Sequence, residues 1–323
     1  MIRGALPAAA LLWGLAGCAA SPTLAERLPA GLPRSIELAA TPFFPQQDYQ
    51  CGPAALATVL SASGAPTTAD ELTPQVFLPG RRGSLQAELL GAARRHGRLP
   101  YVMPPQGEEL VAELNEGRPV LLLQNLGISK LPRWHYAVLV GYDADRNVAL
   151  LRSGTDRRLE MRWQRFAAAW HRGGRWAVTT LKPGVIPAHA DVARYVEAAA
   201  GLEAAGQRQE AGDAYDAAIK RWPEAPLAWL GLGNLAYGAG DLAAAAEAYQ
   251  RAIALAPRDA AARNNLAQVL ADAGCAAESR KQIERAAALA VGTGLAGAVE
   301  ETRAKIDALP AAACTLGDRS WPD

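Results

Sequence analysis

Residues 46–60 read QQDYQCGPAALATVL, and this stretch sets a cysteine where an extended segment turns into an apolar helix. Gly52 and Pro53 suit a tight turn into the first helical residues. A helix N-terminus stabilises a thiolate relative to a thiol, so the pattern predicts a reactive Cys51 whose pKa lies below that of a free thiol. The stretch alone leaves open the alternative of a buried structural cysteine.

A histidine that could act with this cysteine lies in the stretch WHYAVLVGYD, residues 134–143. The residues after His135 are mostly β-formers and predict a largely buried strand, which is a rigid mount for a side chain at its start. His96 ends a polar helix, and His171 and His189 have loop-like surroundings. A cysteine at a helix start and a histidine at a strand start form the papain-type arrangement of nucleophile and base.

Two stretches together resemble the bacteriocin-processing, double-glycine-leader cysteine peptidases of the papain-like clan. They are Q-x-x-x-x-C-G-P-A-A-L-A, which begins at Gln46, and W-H-Y-A-V-L-V-G-Y-D, which begins at Trp134. The resemblance covers residues 36–183 and is closest to a lipoprotein branch with tetratricopeptide repeats, because PGRRGSLQ (79–86) and LLRSGT (150–155) are also similar to that branch. It implies an α+β papain-like domain with Cys51 as the nucleophile and His135 as the general base.

The same resemblance implies a glutamine just upstream of the cysteine. Such a side chain supplies a donor to the oxyanion hole, next to the backbone N–H groups at the helix start. Gln46 and Gln47 both fit this role, and Gln46 is favoured.

One position departs from the family pattern. In the family, an aspartate at the end of the strand that follows the histidine strand orients the imidazole, whereas this chain has Ser153 there. A serine accepts a hydrogen bond but does not offset the charge of an imidazolium. Three alternatives follow: Asp156 supplies the carboxylate, a weaker Cys–His dyad operates, or the domain is a binding module descended from a peptidase.

Composition limits the remaining classes of function. The chain has 323 residues, a formal net charge of +1, 30 Gly and 22 Pro, which together indicate about two globular domains. The charge is balanced and no long Lys/Arg run occurs, so no nucleic-acid partner is predicted. The Cys and His residues are too far apart for a metal-ligand motif, and no metal or other cofactor is expected.

The N-terminal segment has the pattern of a lipoprotein signal, residues 1–18, in which an apolar run ends in Leu15-Ala16-Gly17-Cys18. Cys18 is the predicted site of lipidation, and Ala19 after it favours the outer membrane, facing the periplasm of a Gram-negative cell. No second apolar run approaches the roughly 20 residues of a membrane helix. Residues 19–35 then read as a tether.

Local patterns predict the elements of the domain at 36–183. The helices are expected at 52–63, at 84–96 with Ser84 as N-cap, and at 108–116 closed by Gly117. The strands are expected at 100–103, 120–124, 136–142, 148–152 and 176–181. A helix followed by mostly antiparallel strands is typical of an α+β papain-like core.

After a linker at 184–190, the sequence becomes alanine-rich and periodic. Pro223 and Pro257 are 34 residues apart, and Tyr215 recurs as Tyr249 at the same interval. This period predicts three tetratricopeptide repeats over 191–290, an all-α solenoid, followed by a capping helix and tail at 291–323. Polar residues of the repeats face either a peptide-binding groove or neighbouring helices, two roles that the sequence does not separate: Asn234, Asn264 and Asn265.

Elimination among the four cysteines assigns the last two. Cys18 is assigned to lipid and Cys51 to chemistry, which leaves Cys275 and Cys314 as a disulfide pair in an oxidising compartment.

These observations predict a lipid-anchored cysteine peptidase that cleaves a peptide or protein substrate through a thioester, with repeats that recruit the substrate or a protein partner. The lipid anchor is the predicted membrane contact. A catalytically inactive peptidase-like scaffold is the rival, and acyl transfer through the same Cys–His chemistry is a third possibility.

Overall fold

A computed structural model gives the structure of residues 23–46, 49–308, 313–317 and 321. Within these residues, an antiparallel sheet with flanking helices comes first and a run of helices follows. This order confirms the predicted fold class. Cys18 and Gln47 lie outside the described residues.

The first half of the chain contains six α-helices and seven strands among the described residues. The helices are α1 (Leu24–Arg27), α2 (Cys51–Ala62), α3 (Ala69–Val76), α4 (Gln86–Arg95), α5 (Gly107–Asn115) and α6 (Trp163–Arg172). The strands are β1 (Ser35–Glu37), β2 (Leu99–Val102), β3 (Val120–Asn125), β4 (Trp134–Asp143), β5 (Val148–Ser153), β6 (Asp156–Arg162) and β7 (Ala177–Leu181).

All strand pairs of the sheet are antiparallel, in the order β2-β7-β3-β4-β5-β6, with the short β1 also paired to β4. Successive side chains of a strand point to opposite faces. On β4, Val138 and Val140 therefore join the core beneath α2, while Ala137 and Leu139 join the core on the other face. Because β4 is packed on both faces, the strand is held in place, and its first residues, which include His135, have a fixed backbone position.

The predicted helices and strands of this half all occur, with ends displaced by at most two residues. Ser84 is not the N-cap of α4: the helix begins at Gln86, and its N-cap Leu85 makes no side-chain cap bond. The Ser84 hydroxyl instead lies against Gly52 at the start of α2. This contact joins segments that are distant in sequence, so a local capping pattern does not reveal it.

Sequence patterns missed several elements, two of them for identifiable reasons. Helix α3 contains Pro74 and depends on a capping box between Thr68 and Glu71. Strand β6 has mostly exposed side chains and no regular alternation, and the predictions also omitted α1, β1 and α6.

The second half consists of helices that pack as consecutive pairs. They are α7 (Val192–Ala204), α8 (Arg208–Arg221), α9 (Pro226–Gly238), α10 (Leu242–Leu255), α11 (Ala260–Asp272), α12 (Ala276–Ala290) and α13 (Ala296–Asp307). Glycines allow close approach here, since a Cβ on Gly231 would overlap the ring of Tyr215 and one on Gly233 the ring of Tyr249. The recurring aromatics are therefore core residues.

The two halves share a core. Helix α7 packs on β2, and Tyr195 and Leu202 belong to the same buried cluster as Leu99 and Leu181. The Asp191 N–H donates to Tyr101 Oη over 3.0 Å. The first repeat is thus built directly onto the edge of the sheet.

The far end of the solenoid carries a covalent link. A disulfide joins Cys275, the N-cap of α12, to Cys314, with their Cα atoms 4.3 Å apart. The Thr315 N–H donates to Ala273 O over 2.9 Å beside it. Together these bonds hold the described part of the tail against the turn between α11 and α12. None of the described helices has the length and apolar character needed to cross a membrane.

Candidate active site

Cys51 is the first residue of α2, where helical N–H groups have no partner within the helix. Burial raises the pKa of its thiol, and the backbone N–H groups of Tyr136, Gly52 and Cys51 itself partly oppose this by lowering it. The sequence predicted a lowered pKa for Cys51. The structure reverses that direction, because the thiol is partly enclosed between α2 and β4.

His135 lies near the start of β4, and its Nε2 atom is 2.8 Å from Ser153 Oγ at the end of β5. Burial, followed by the nearby positive charge of Arg133, lowers the pKa of His135 to about 4. The ring is therefore neutral at pH 7. A hydroxyl both donates and accepts, so Ser153 is compatible with either tautomer of the ring.

Cys51 and His135 line the same open cavity, which has a volume of about 910 Å³. The thiol lies against the backbone of Tyr136, the residue that follows His135. Within the part of the chain that the structure describes, no hydrogen bond joins Cys51 to the His135 ring. Ser153 occupies Nε2, so Nδ1 is the ring nitrogen left for an acid–base partner.

Gln46 also lines this cavity. Its backbone N–H donates to Gly154 O over 3.1 Å, which ties the segment before α2 to the end of β5, next to Ser153. Between Gln46 and the helix, Tyr49 has a φ of 64°, in the left-handed region that non-glycine residues rarely adopt. The chain thus turns sharply just before Cys51.

Asp156 does not reach the ring. It is exposed at the start of β6 and lies opposite Ser153 in the strand register. Among the described residues, no hydrogen bond or ion pair connects Asp156 to His135. Of the two candidates for the third position, Ser153 is the one that contacts the imidazole.

Sequence reasoning did not find every residue around the thiol. The Ser84 hydroxyl is buried without a hydrogen-bond partner and packs against Gly52, so a Cβ at Gly52 would overlap it. The hydroxyl of Tyr136 donates to Ser84 O over 3.3 Å. The one available signal was the glycine after Cys51, which marks a close approach of another segment.

Sequence comparisons match the two halves of the chain to two families. Residues 39–178 match the Peptidase_C39 like family, and residues 196–259 and 232–292 match the tetratricopeptide repeat. The chain thus has a C39-like peptidase domain followed by tetratricopeptide repeats, as predicted. No curated protein matches it.

Solved structures similar to the chain fall into the same two groups. A C39-like peptidase from Bacillus anthracis is 18% identical over 46% of this chain and 98% of its own, with a TM-score of 0.39. The peptidase domain of Streptococcus ComA, a bi-functional ABC transporter, is 20% identical over 44% and 98%, with a TM-score of 0.35. The type III secretion translocator chaperone SycD of Yersinia enterocolitica is 18% identical over 36% and 83%, with a TM-score of 0.34.

Proposed function

We propose that the protein is a lipid-anchored cysteine peptidase in which Cys51 is the nucleophile and His135 the general base. Ser153 orients the imidazole through its Nε2 atom, and Gln46 donates to the oxyanion together with N–H groups at the start of α2. The observation that supports this most directly is the 2.8 Å contact between His135 Nε2 and Ser153 Oγ, because His135 and Cys51 line the same cavity.

The proposed reaction proceeds in two steps. The thiol of Cys51 gives its proton to His135, its sulfur attacks the peptide carbonyl carbon, and the C–N bond breaks as the imidazolium protonates the leaving amine. A water molecule then gives a proton to His135 and attacks the thioester, which releases the acid and restores the thiol. The imidazole is neutral at pH 7 and so can accept a proton, but its lowered pKa makes it a weak base.

Labelling with a peptidyl thiol-reactive probe tests this function. The purified protein is expected to incorporate one probe at Cys51, as located by mass spectrometry, and Cys51→Ala is expected to incorporate none there. A His135→Ala variant that keeps its fold should label much more slowly. If a small thiol reagent modifies Cys51 equally in the natural protein and in His135→Ala, and the natural protein cleaves no peptide, the site is not a peptidase centre.

A scaffold without catalysis is the second candidate, and one observation favours it. Burial raises the pKa of Cys51 and lowers that of His135, so the two side chains are both neutral at pH 7, and Ser153 supplies no charge to stabilise an imidazolium. In this case the C39-like domain and the repeats act only in protein interaction. Comparing peptide cleavage by the full chain with cleavage by Cys51→Ala separates the two functions.

We propose further that a lipid on Cys18 anchors the protein to the outer membrane, facing the periplasm. Small residues directly before Cys18 support this assignment. Acyl chains on the mature N-terminus would place the protein in the membrane fraction. Intact-mass measurement should show the added acyl mass, and Cys18→Ser should release the protein. An unmodified N-terminus at another residue would contradict the anchor.

A further inference from the structure

The charged residues described around the cavity at Cys51 are arginines. Arginines line it from two sides: Arg81 and Arg82 precede α4, Arg133 precedes β4, and Arg172 ends α6. No aspartate or glutamate is among the lining residues that the structure describes. The approach to the thiol is therefore positively charged.

The partners that the structure describes for these guanidinium groups are not carboxylates. Arg82 lies over the ring of Tyr49, and Arg172 donates to the backbone oxygen of Asn125 over 3.0 Å. Within the described residues, none of the four lining arginines forms an ion pair with a carboxylate. Several arginines elsewhere on the surface do: Arg34 with Asp145, Arg118 with Glu113, Arg146 with Glu160, and Arg158 with Glu37.

Exposed apolar side chains gather at the same cavity. Ten large hydrophobic residues are exposed among the described residues, and Tyr49, Leu85, Leu126 and Trp134 all line this cavity. Trp134, directly before His135, is 58% exposed. Exposed apolar surface that is concentrated in one concavity marks a binding site.

We propose that this cavity binds a peptide segment that combines carboxylate side chains with apolar ones, the carboxylates pairing with the four arginines. Guanidinium groups bind carboxylates through paired hydrogen bonds, and the apolar residues between them would cover the neighbouring side chains. The binding rests on the cavity alone. Only the further statement that such segments are substrates rests on the proposed peptidase function.

A peptide fits this cavity better than a membrane surface or a nucleic acid. The arginines and the apolar side chains line the walls of a concavity, into which the thiol and the imidazole also open. A flat membrane surface would not reach most of these side chains. The sequence also has balanced charge without the long Lys/Arg runs of a nucleic-acid-binding segment. An extended chain enters such a concavity and presents side chains to both walls.

Binding by the full-length Cys51→Ala protein tests the proposal without turnover. Three fluorescent peptides of equal length carry the same Leu and Phe residues, separated by Glu, Gln or Lys, and binding is measured by anisotropy. The Glu peptide is expected to bind at least about tenfold more tightly than the Gln peptide, and the Lys peptide least. The preference should shrink as salt rises from about 0.05 M to about 0.5 M.

Two charge reversals make the test specific to the cavity. Arg81→Glu with Arg82→Glu should abolish or invert the preference for the Glu peptide. Arg162→Glu with Arg165→Glu changes the net charge equally at exposed positions that do not line the cavity, so its preference should stay near that of the parent. If either double variant unfolds, the corresponding Arg→Gln pair replaces it.

The outcomes separate this inference from the proposed function. Selective binding by Cys51→Ala without cleavage by the natural protein retains the inference and removes the peptidase. Cleavage of all three peptides with equal KM retains the peptidase and overturns the inference. Equal peptide binding, together with Arg81- and Arg82-dependent binding to phosphatidylglycerol-containing vesicles or to an oligonucleotide, also overturns it.

Discussion

The two halves of the chain assemble their key contacts in opposite ways. In the repeats, each helix packs mainly on its sequence neighbours, and α9 meets a tyrosine of each neighbour, Tyr215 at Gly231 and Tyr249 at Gly233. In the C39-like half, the candidate site joins the start of α2, the start of β4 and the end of β5, which lie 18 or more residues apart in sequence. Damage to the first half should therefore affect chemistry, and damage to the second should affect stability.

The largest expected effect is the loss of the nucleophile or the base. Cys51→Ala should abolish peptide turnover, and His135→Ala should reduce kcat/KM by about 10³-fold or more, because the thiol then lacks its proton acceptor. Both side chains are only partly buried, so thermal unfolding should change little. Turnover assays with matched melting curves provide the measurement. Normal turnover in His135→Ala would remove this residue from the mechanism.

The disulfide should produce the next largest effect, confined to the repeats. The bond joins residues 39 apart, and closing a loop of this size stabilises a fold by about 3–4 kcal/mol in the chain-entropy estimate. Cys314→Ser removes the bond at an exposed position and leaves the buried Cys275 in place. Hydrogen exchange should then accelerate in α12 and α13 but not in β3 or β4. Equal acceleration in both halves would contradict the separation of the two regions.

A pair of helical glycines sharpens the comparison within the repeats. Gly231→Ala forces a methyl group into the ring of Tyr215 and should destabilise the protein by roughly 1–3 kcal/mol. Gly212→Ala in α8 meets only an ordinary contact with Leu235 and should be neutral or stabilising by up to about 1 kcal/mol. Denaturant unfolding measures both changes. Equal effects would show that the repeat helices adjust to relieve the overlap.

The contrast between the halves also explains what the sequence could predict. The repeats were identified from spacing alone, because residue types recur at an interval of 34, as Tyr215 and Tyr249 do. Cys51 and His135 were chosen as candidates because each lies at the junction of a local pattern, one at a helix start and one at a strand start. By contrast, the packing of Ser84 against Gly52 and the charge of Arg133 near His135 depend on how distant segments meet. The upward direction of the Cys51 pKa has the same origin, since only the assembled fold encloses the thiol.

The smallest expected effect concerns Ser153. Its neutral hydroxyl does not stabilise the positive charge of a protonated His135. A carboxylate at 2.8 Å would accept only from Nε2–H, leave Nδ1 as the base and raise the pKa of His135, now about 4. In Ser153→Asp, the imidazolium would in turn stabilise the thiolate, so the alkylation of Cys51 should begin at lower pH and be about tenfold faster at pH 7.

The variants are compared with the natural protein by the pH at which Cys51 becomes alkylated. Burial raises the pKa of its Cys51 thiol, so the alkylation rate should climb only as the solution becomes alkaline. Iodoacetamide labelling across pH measures the midpoint in each protein. Ser153→Ala is the matched control and should not shift the midpoint downward, and Asp156→Asn should match the natural protein because Asp156 is exposed and makes no described contact with the ring. An upward shift in Asp156→Asn would show that Asp156 supplies charge to His135, and no shift in Ser153→Asp would contradict the coupling of position 153 to the ring.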